Sequence, residues 1–220
     1  MISDRATRAI CSRRTGLAWA SVSKCSLTGA WADVWVTVQG MELPGFRYHP
    51  DPVGTGTVGP SNDECVCCAE RRGHIYVGPV FAEEELNDAL CPWCIADGSA
   101  HERLGAEFVD TASVGLGWEP VAQAVVEELA FRTPCFTGWQ QERWFTHCAD
   151  AGEFLGRADT DDLRGKWAAV QPSMQADTGM NDEEWNRVAN AFRKGPNDSP
   201  TAYVFRCLHC GQLGGYWDTD

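Results

Sequence analysis

The residues with the most specific chemistry in this 220-residue chain are its eleven cysteines, most of which stand in close pairs. Cys65/Cys68 and Cys91/Cys94 form Cys-x2-Cys, 22 intervening residues, Cys-x2-Cys. A tight turn with that spacing offers two sulfurs to one ion, and zinc takes four thiolates tetrahedrally at about 2.3 Å. Cys65, Cys68, Cys91 and Cys94 therefore read as a structural Zn2+ site. Cys94 falls at the start of an expected helix, whose N-terminal N–H groups favour thiolates. The neighbouring Cys67 leaves an ambiguity, because it can stand in for Cys65 or Cys68. Buried reduced thiols, or a redox dithiol at Cys91/Cys94, are the competing readings.

Cys207-Leu-His-Cys210-Gly has the form of half a second zinc knuckle. The chemically nearest completing residues are His147 and Cys148; being adjacent, one can ligate easily and both only with difficulty. Cys135 is a weaker candidate. The bland alternative keeps Cys207 and Cys210 as core thiols, or draws them towards the first site. His49, His74, His101 and His209 show no HExxH-like spacing, and neither a Gly-x-Ser-x-Gly elbow nor a phosphate loop occurs. A cage of four protein ligands has no open coordination position for catalysis. No catalytic residue and no organic cofactor site is assigned.

Several elements must position these residues. Leu43–Pro52 is a proline-punctuated extended arm, and Gly54–Pro60 a turn-rich loop. A strand is expected at His74–Val77, a short acidic helix over Ala82–Ala89, and another helix over Ala96–Phe108. Pro120 suits a helix start, with Val121, Val125, Glu128 and Leu129 as a face stopped by Pro134. Trp139–Cys148 reads as a helix carrying Trp144, His147 and Cys148, with its tryptophans read as core before partner surface. Leu163, Trp167 and Val170 share a helical face. Asn181 caps a helix lined by Trp185, Val188 and Phe192, stopped at Gly195. Ala202–Arg206 and Leu213–Trp217 then flank the Cys207–Cys210 turn as strands.

Charge divides the chain. Residues 1–40 carry five basic and two acidic residues, whereas the whole chain stands at −13, leaving −16 for residues 41–220. Residues 1–40 read as a disordered extension or a start placed too early, with Met41 as the beginning and a short strand at Val34–Val38. The acidic balance disfavours nucleic acid and suits a basic protein partner. The apolar stretch Leu17–Val22 is too short for a membrane span or a convincing signal segment. A cytoplasmic protein with reduced thiols is the expectation.

The strings Leu43-Pro-Gly-Phe-Arg-Tyr-His-Pro-Asp-Pro52, Cys65-x-Cys-Cys68, Arg72-Gly-His-Ile-Tyr-Val-Gly-Pro79 and Leu90-Cys-Pro-Trp-Cys-Ile-Ala-Asp-Gly-Ser99 together resemble the CbrC family of bacterial proteins. Gly138-Trp-Gln-Gln-Glu-Arg-Trp144, His147-Cys148 and Phe205-Arg-Cys-Leu-His-Cys-Gly211 extend the resemblance across residues 41–217, but residues 1–40 have no counterpart and Cys135 departs from it. The resemblance implies tolerance to a protein toxin, with a nuclease as the expected type, without a biochemical mechanism.

The expected fold is α+β: a treble-clef-like zinc knuckle and hairpin unit, a helical middle, and a C-terminal β-hairpin zinc knuckle, all in one zinc-stabilised domain over residues 41–220. The expected function is a tolerance or immunity protein that binds a protein partner, such as a basic toxin, rather than an enzyme. A metalloenzyme with water at a mixed His/Cys zinc, and a thiol redox or metal-sensing module, are the alternatives. Oligomeric state stays open.

Overall fold

The computed structural model describes residues 42–195 and 198–220. The extension expected over residues 1–40 and the strand expected at Val34–Val38 lie outside them. No helix among the described residues is long and apolar enough to cross a membrane.

The first part is built on two short antiparallel strands, β1 (Val58–Pro60) and β2 (His74–Tyr76), paired Val58 to Tyr76 and Pro60 to His74. Two small helices follow, α1 (Pro92–Ala96) and α2 (Ser99–Leu104). Pro92 sits in the first turn of α1, where a missing N–H costs nothing. Val58, Ile75, Leu90, Ile95 and Phe108 form a core that also takes in Cys65, Cys91 and Cys94. The helix expected over Ala96–Phe108 is thus only α2, stopped by Gly105 at φ 63°, a left-handed conformation that glycine adopts at little cost. The acidic helix expected at Ala82–Ala89 does not form. Glu83, Glu84 and Glu85 repel one another, Leu86 is the main buried anchor, and a bridge from Phe81 to Glu107 holds the chain extended as it enters this stretch. The loop expected at Gly54–Pro60 contributes β1 at its end.

The second part is a four-stranded antiparallel sheet in the order β3-β4-β5-β6: Thr146–His147, Asp150–Ala158, Thr201–Cys207 and Leu213–Asp218. Side chains alternate across β5, as they must in a strand. Tyr203 and Phe205 join Phe136, Trp144, Phe145, Phe154 and Tyr216 in an aromatic core on one face. Ala202 and Val204 meet Val170, Met174, Trp185 and Phe192 on the other. The hairpin β5–β6 falls where the sequence placed it. The long strand β4 was not foreseen; Gly152 and Gly156 interrupt its pattern, and a bulge between Phe154 and Gly156 shifts its register.

The helix expected over Trp139–Cys148 is absent. Trp144, Phe145 and Thr146 are all buried in succession, which no one-sided helix permits. Instead Trp144 bridges Val114, and its indole N–H donates to the Gly152 carbonyl at 2.9 Å. Helix α3 (Gln123–Arg132) begins three residues after Pro120 and ends before Pro134. The Leu163–Trp167–Val170 face is split between α4 (Thr160–Arg164) and a 3₁₀ turn at Ala168–Val170, although Leu163 and Val170 still reach the same core. Helix α5 (Gln171–Thr178) precedes α6 (Asp182–Val188), whose cap is the one expected. Asn181 accepts from the N–H groups of Glu183 and Glu184, and Glu184 accepts in return from the Asn181 N–H, a reciprocal capping box. Helix α6 ends well before Gly195.

Candidate metal centres

Cys65 and Cys68 lie on the tight turn after β1, Cys91 at the N-cap of α1 and Cys94 within it. Their sulfurs converge: Cys65 to Cys94 is 3.9 Å, Cys68 to Cys91 is 3.8 Å and Cys91 to Cys94 is 3.6 Å. Four thiolates at about 2.3 Å from a common ion stand about 3.8 Å apart along each tetrahedral edge. The spacing fits. The ambiguity over Cys67 is resolved in geometry, because its sulfur lies 3.5 Å from the Ser99 hydroxyl instead. Its carbonyl accepts from Arg103, which ties the turn to α2.

The electrostatics of this group favour a cation. The Cys91 thiol donating to Cys65, opposed by burial and helped by the N–H groups of Cys91, Cys68 and Cys67, pulls Cys65 down to about 4. The same contact, with burial, pushes Cys91 up, and burial pushes Cys94 up to about 12. Burial and the shared contact thus resist ionisation of Cys91 and Cys94 beside the Cys65 thiolate. A divalent ion removes that resistance by accepting all four sulfurs as thiolates.

The second group is made by two turns laid side by side. Cys207 of β5 is paired with Gly152 of β4, so the β3–β4 turn comes to rest beside the β5–β6 turn. His147 pairs with Asp150, leaving a two-residue turn of Cys148 and Ala149 with φ of 55° and 58°. Positive φ at both positions is the type I′ hairpin geometry. That backbone answers the expectation that adjacent His147 and Cys148 would ligate together only with difficulty. The left-handed turn swings the Cys148 sulfur to 3.2 Å from His147 Nδ1, while the Cys210 sulfur stands 3.4 Å from the same nitrogen. With Cys207, all four donor atoms lie within 4.8 Å of one another. Burial raises the Cys207 thiol, but the N–H groups of Cys210 and His209 and a bond with His147 outweigh it and leave Cys207 at about 6.

All eight residues expected as ligands thus fall into two groups of four, each of which can hold a metal ion. Their exposures differ. Three of the first four are buried, whereas Cys148 and Cys210 of the second are exposed. Cys135 joins neither group; it is buried beneath Tyr76, whose hydroxyl accepts from its N–H at 3.2 Å. None of the nine described cysteines is in a disulfide.

A polar cluster supports the second group that the sequence did not reveal. The buried Asp150, next to the turn, accepts from the Tyr48 hydroxyl at 2.7 Å, from Arg47 at 2.5 Å and from His209 Nε2 at 2.8 Å. The proline-rich arm therefore clamps the end of the sheet that carries the two turns. His49 is buried next to it, its Nδ1 2.7 Å from the Pro134 carbonyl and its Nε2 2.7 Å from the Thr55 hydroxyl.

This arrangement defines an α+β protein with two tetradentate, sulfur-rich centres, one buried and one at the surface. The chain belongs to the uncharacterised protein family UPF0167, whose model matches residues 43–219. It is 45% identical over 183 residues to the UPF0167 protein Mb2317 of Mycobacterium bovis, covering 80% of this chain and 94% of that relative. It is 41% identical over 179 residues to the UPF0167 protein PA1536 of Pseudomonas aeruginosa, covering 81% and 97%. No solved structure matches it.

Proposed function

We propose that this protein is a zinc-stabilised binding protein of tolerance or immunity type, in which both centres hold Zn2+ as scaffolds. The observation that carries the reading is the ligand count. Each group offers four protein donors, and a catalytic zinc keeps one position for water. Soft thiolate and imidazole donors suit zinc and not the hard ions magnesium or calcium. The first centre, with its turn, strand pair and short helix, is treble-clef-like; the second is a β-hairpin knuckle completed from a neighbouring turn.

A rigid, acidic surface then engages a basic partner. The −16 of residues 41–220 and the resemblance to the CbrC family both point to a protein toxin, met in a reducing cytoplasm where these thiols persist. The test is metal content by elemental analysis in the full chain, in Cys94→Ser and in Cys210→Ser, followed by toxin challenge of expressing cells. Two zinc ions falling to one in each variant, with survival of expressing cells and salt-sensitive toxin binding, is the expected result. No zinc in freshly reduced protein would remove the scaffold reading. Survival no better than controls across a panel of nuclease toxins would remove the tolerance reading.

One observation favours a second reading. Cys148 and Cys210 are exposed, so the second centre is open to oxidants and competing metals, as a redox or metal-sensing site would be.

A further inference from the structure

Away from both centres, a cavity of about 660 Å³ opens between the 51–57 loop, the bulged part of β4 and the segment around α4. Its size lies within the range of small-molecule sites. Its lining combines apolar and cationic side chains, and the combination describes a ligand.

Part of the lining is apolar. Phe136 and Phe154 of the aromatic core border it, and the partly exposed Val53 and Val77 line it as well. Val53 is 42% and Val77 45% exposed, two of the few large apolar side chains the described residues leave in water. Isolated exposed valines need no explanation, but two that line one cavity form an apolar lip.

Another part is cationic. Residues 41–220 contain just two lysines, Lys166 and Lys194, and both line this cavity together with Arg157. In a segment of charge −16, that concentration is the exception. Asp162 holds both ammonium groups, Lys166 at 3.2 Å and Lys194 at 2.9 Å, and Asp159 takes Lys194 at 2.8 Å. These carboxylates offset part of the lysines' charge while drawing both ammonium groups towards the same side. The Arg157 guanidinium is held by the carbonyls of Thr137 at 2.6 Å and Gly195 at 3.4 Å, which leave its charge without a carboxylate partner among the described residues. Asp51, the remaining lining carboxylate, is turned to the Gly54 N–H. Trp167 also lines the cavity, with the Lys166 ammonium 3.9 Å from its ring centre, an arrangement of cation and aromatic face that can be extended by a planar anion.

We propose that this cavity binds a small organic anion carrying a flat apolar ring, the ring against Val53, Val77 and Trp167 and the anionic group towards Arg157, Lys166 and Lys194. The site is independent of the metal centres, none of whose ligands lines it. An anion repelled by the net negative charge of residues 41–220 meets here three cationic side chains, of which Arg157 has no carboxylate partner among the described residues.

Two probes that differ by one charge test it on the full, metal-loaded chain: 8-anilinonaphthalene-1-sulfonate and its uncharged analogue N-phenyl-1-naphthylamine, each titrated by fluorescence. The sulfonate should bind saturably and about tenfold more tightly than the neutral probe. Lys166→Glu, a change at an exposed side chain, should weaken the sulfonate about tenfold and leave the neutral probe unchanged. Val53→Trp, which fills the opening, should weaken both, with Val77→Trp as its replacement if that variant melts early. Metal content should be unaltered throughout. Equal affinity for the two probes, or sulfonate binding indifferent to Lys166→Glu, overturns the anion site; binding indifferent to both tryptophan variants places the probes elsewhere and overturns it as well.

Discussion

The Tyr48 hydroxyl donates a 2.7 Å hydrogen bond to Asp150, joining an arm and a strand 102 residues apart in the sequence. Tyr48 is fully buried and Asp150 nearly so, and the same carboxylate receives Arg47 and His209. Hydrogen bonds to a charged acceptor contribute about 1.5–3 kcal/mol. Tyr48→Phe should therefore lower the unfolding free energy of the metal-loaded protein by about 2 kcal/mol in urea titration. Asp150→Ala should cost more, because it strands the buried hydroxyl and frees His209. The double variant should cost less than the two single losses added together, since both remove one contact. Strict additivity would mean that the arm and the sheet end are not coupled through this pair.

His49 gives the protein a specific weakness in acid. Burial holds its imidazole down at about 4, against the ordinary 6.5, so the folded state keeps it neutral where the unfolded chain protonates it. Between these values the unfolded state binds more protons, and stability falls as pH falls. The contribution is fully present above pH 6.5 and is lost progressively towards pH 4, amounting to about 3 kcal/mol at 1.36 kcal/mol per unit. Because acid would also release metal from the proposed centres, the check is a difference. Unfolding free energy measured at pH 7 and pH 5 should drop more in the native protein than in His49→Asn. Equal drops would assign the acid sensitivity elsewhere.

What the sequence disclosed about this molecule was local, and what it concealed was long-range. The Cys65/Cys68 and Cys91/Cys94 pairs, the Asn181 N-cap and the Cys207–Cys210 hairpin are each set by a few adjacent residues, and each is where the sequence placed it. Strand β4 was hidden because Gly152 and Gly156 break its alternation and a bulge offsets the rest. The segment Trp139–Cys148 looked helical because Trp144, His147 and Cys148 would fall within one turn, yet consecutive burial of Trp144, Phe145 and Thr146 requires an extended chain between two faces. The pairing of Asp150 with Tyr48 leaves no trace in either neighbourhood. Positive φ at Cys148 was equally unreadable, since cysteine carries no preference for it.

That same turn can be improved. Ala149 holds φ of 58° without the freedom of glycine, a conformation costing an L-residue roughly 1 kcal/mol. Ala149→Gly should relieve this and raise the unfolding free energy read from urea titration by about 1 kcal/mol, offset in part by the greater freedom of glycine in the unfolded chain. Ala149→Val should lower it, as a β-branched residue tolerates the left-handed region worst. Metal stoichiometry should stay the same in the glycine variant. A destabilised Ala149→Gly would show that the turn adopts another geometry in solution.

On the proposed zinc occupancy of both groups, their difference in exposure should set the order in which they lose metal. In the first, Cys65, Cys91 and Cys94 are buried, and a chelator reaches the ion only after the core around Leu90 and Ile95 opens. In the second, Cys148 and Cys210 lie at the surface on two turns, and a competing ligand can displace one sulfur at a time. Addition of 4-(2-pyridylazo)resorcinol to the zinc-loaded chain should therefore release metal in two phases of equal amplitude, read by absorbance. Cys210→Ser should abolish the fast phase and leave the slow one. Peroxide added beforehand should accelerate only the fast phase, because exposed thiolates oxidise first. The slow phase should track global unfolding in urea, since removing the buried ion requires opening the core that surrounds it. A single phase, or a slow phase indifferent to urea, would mean that burial does not separate the two centres.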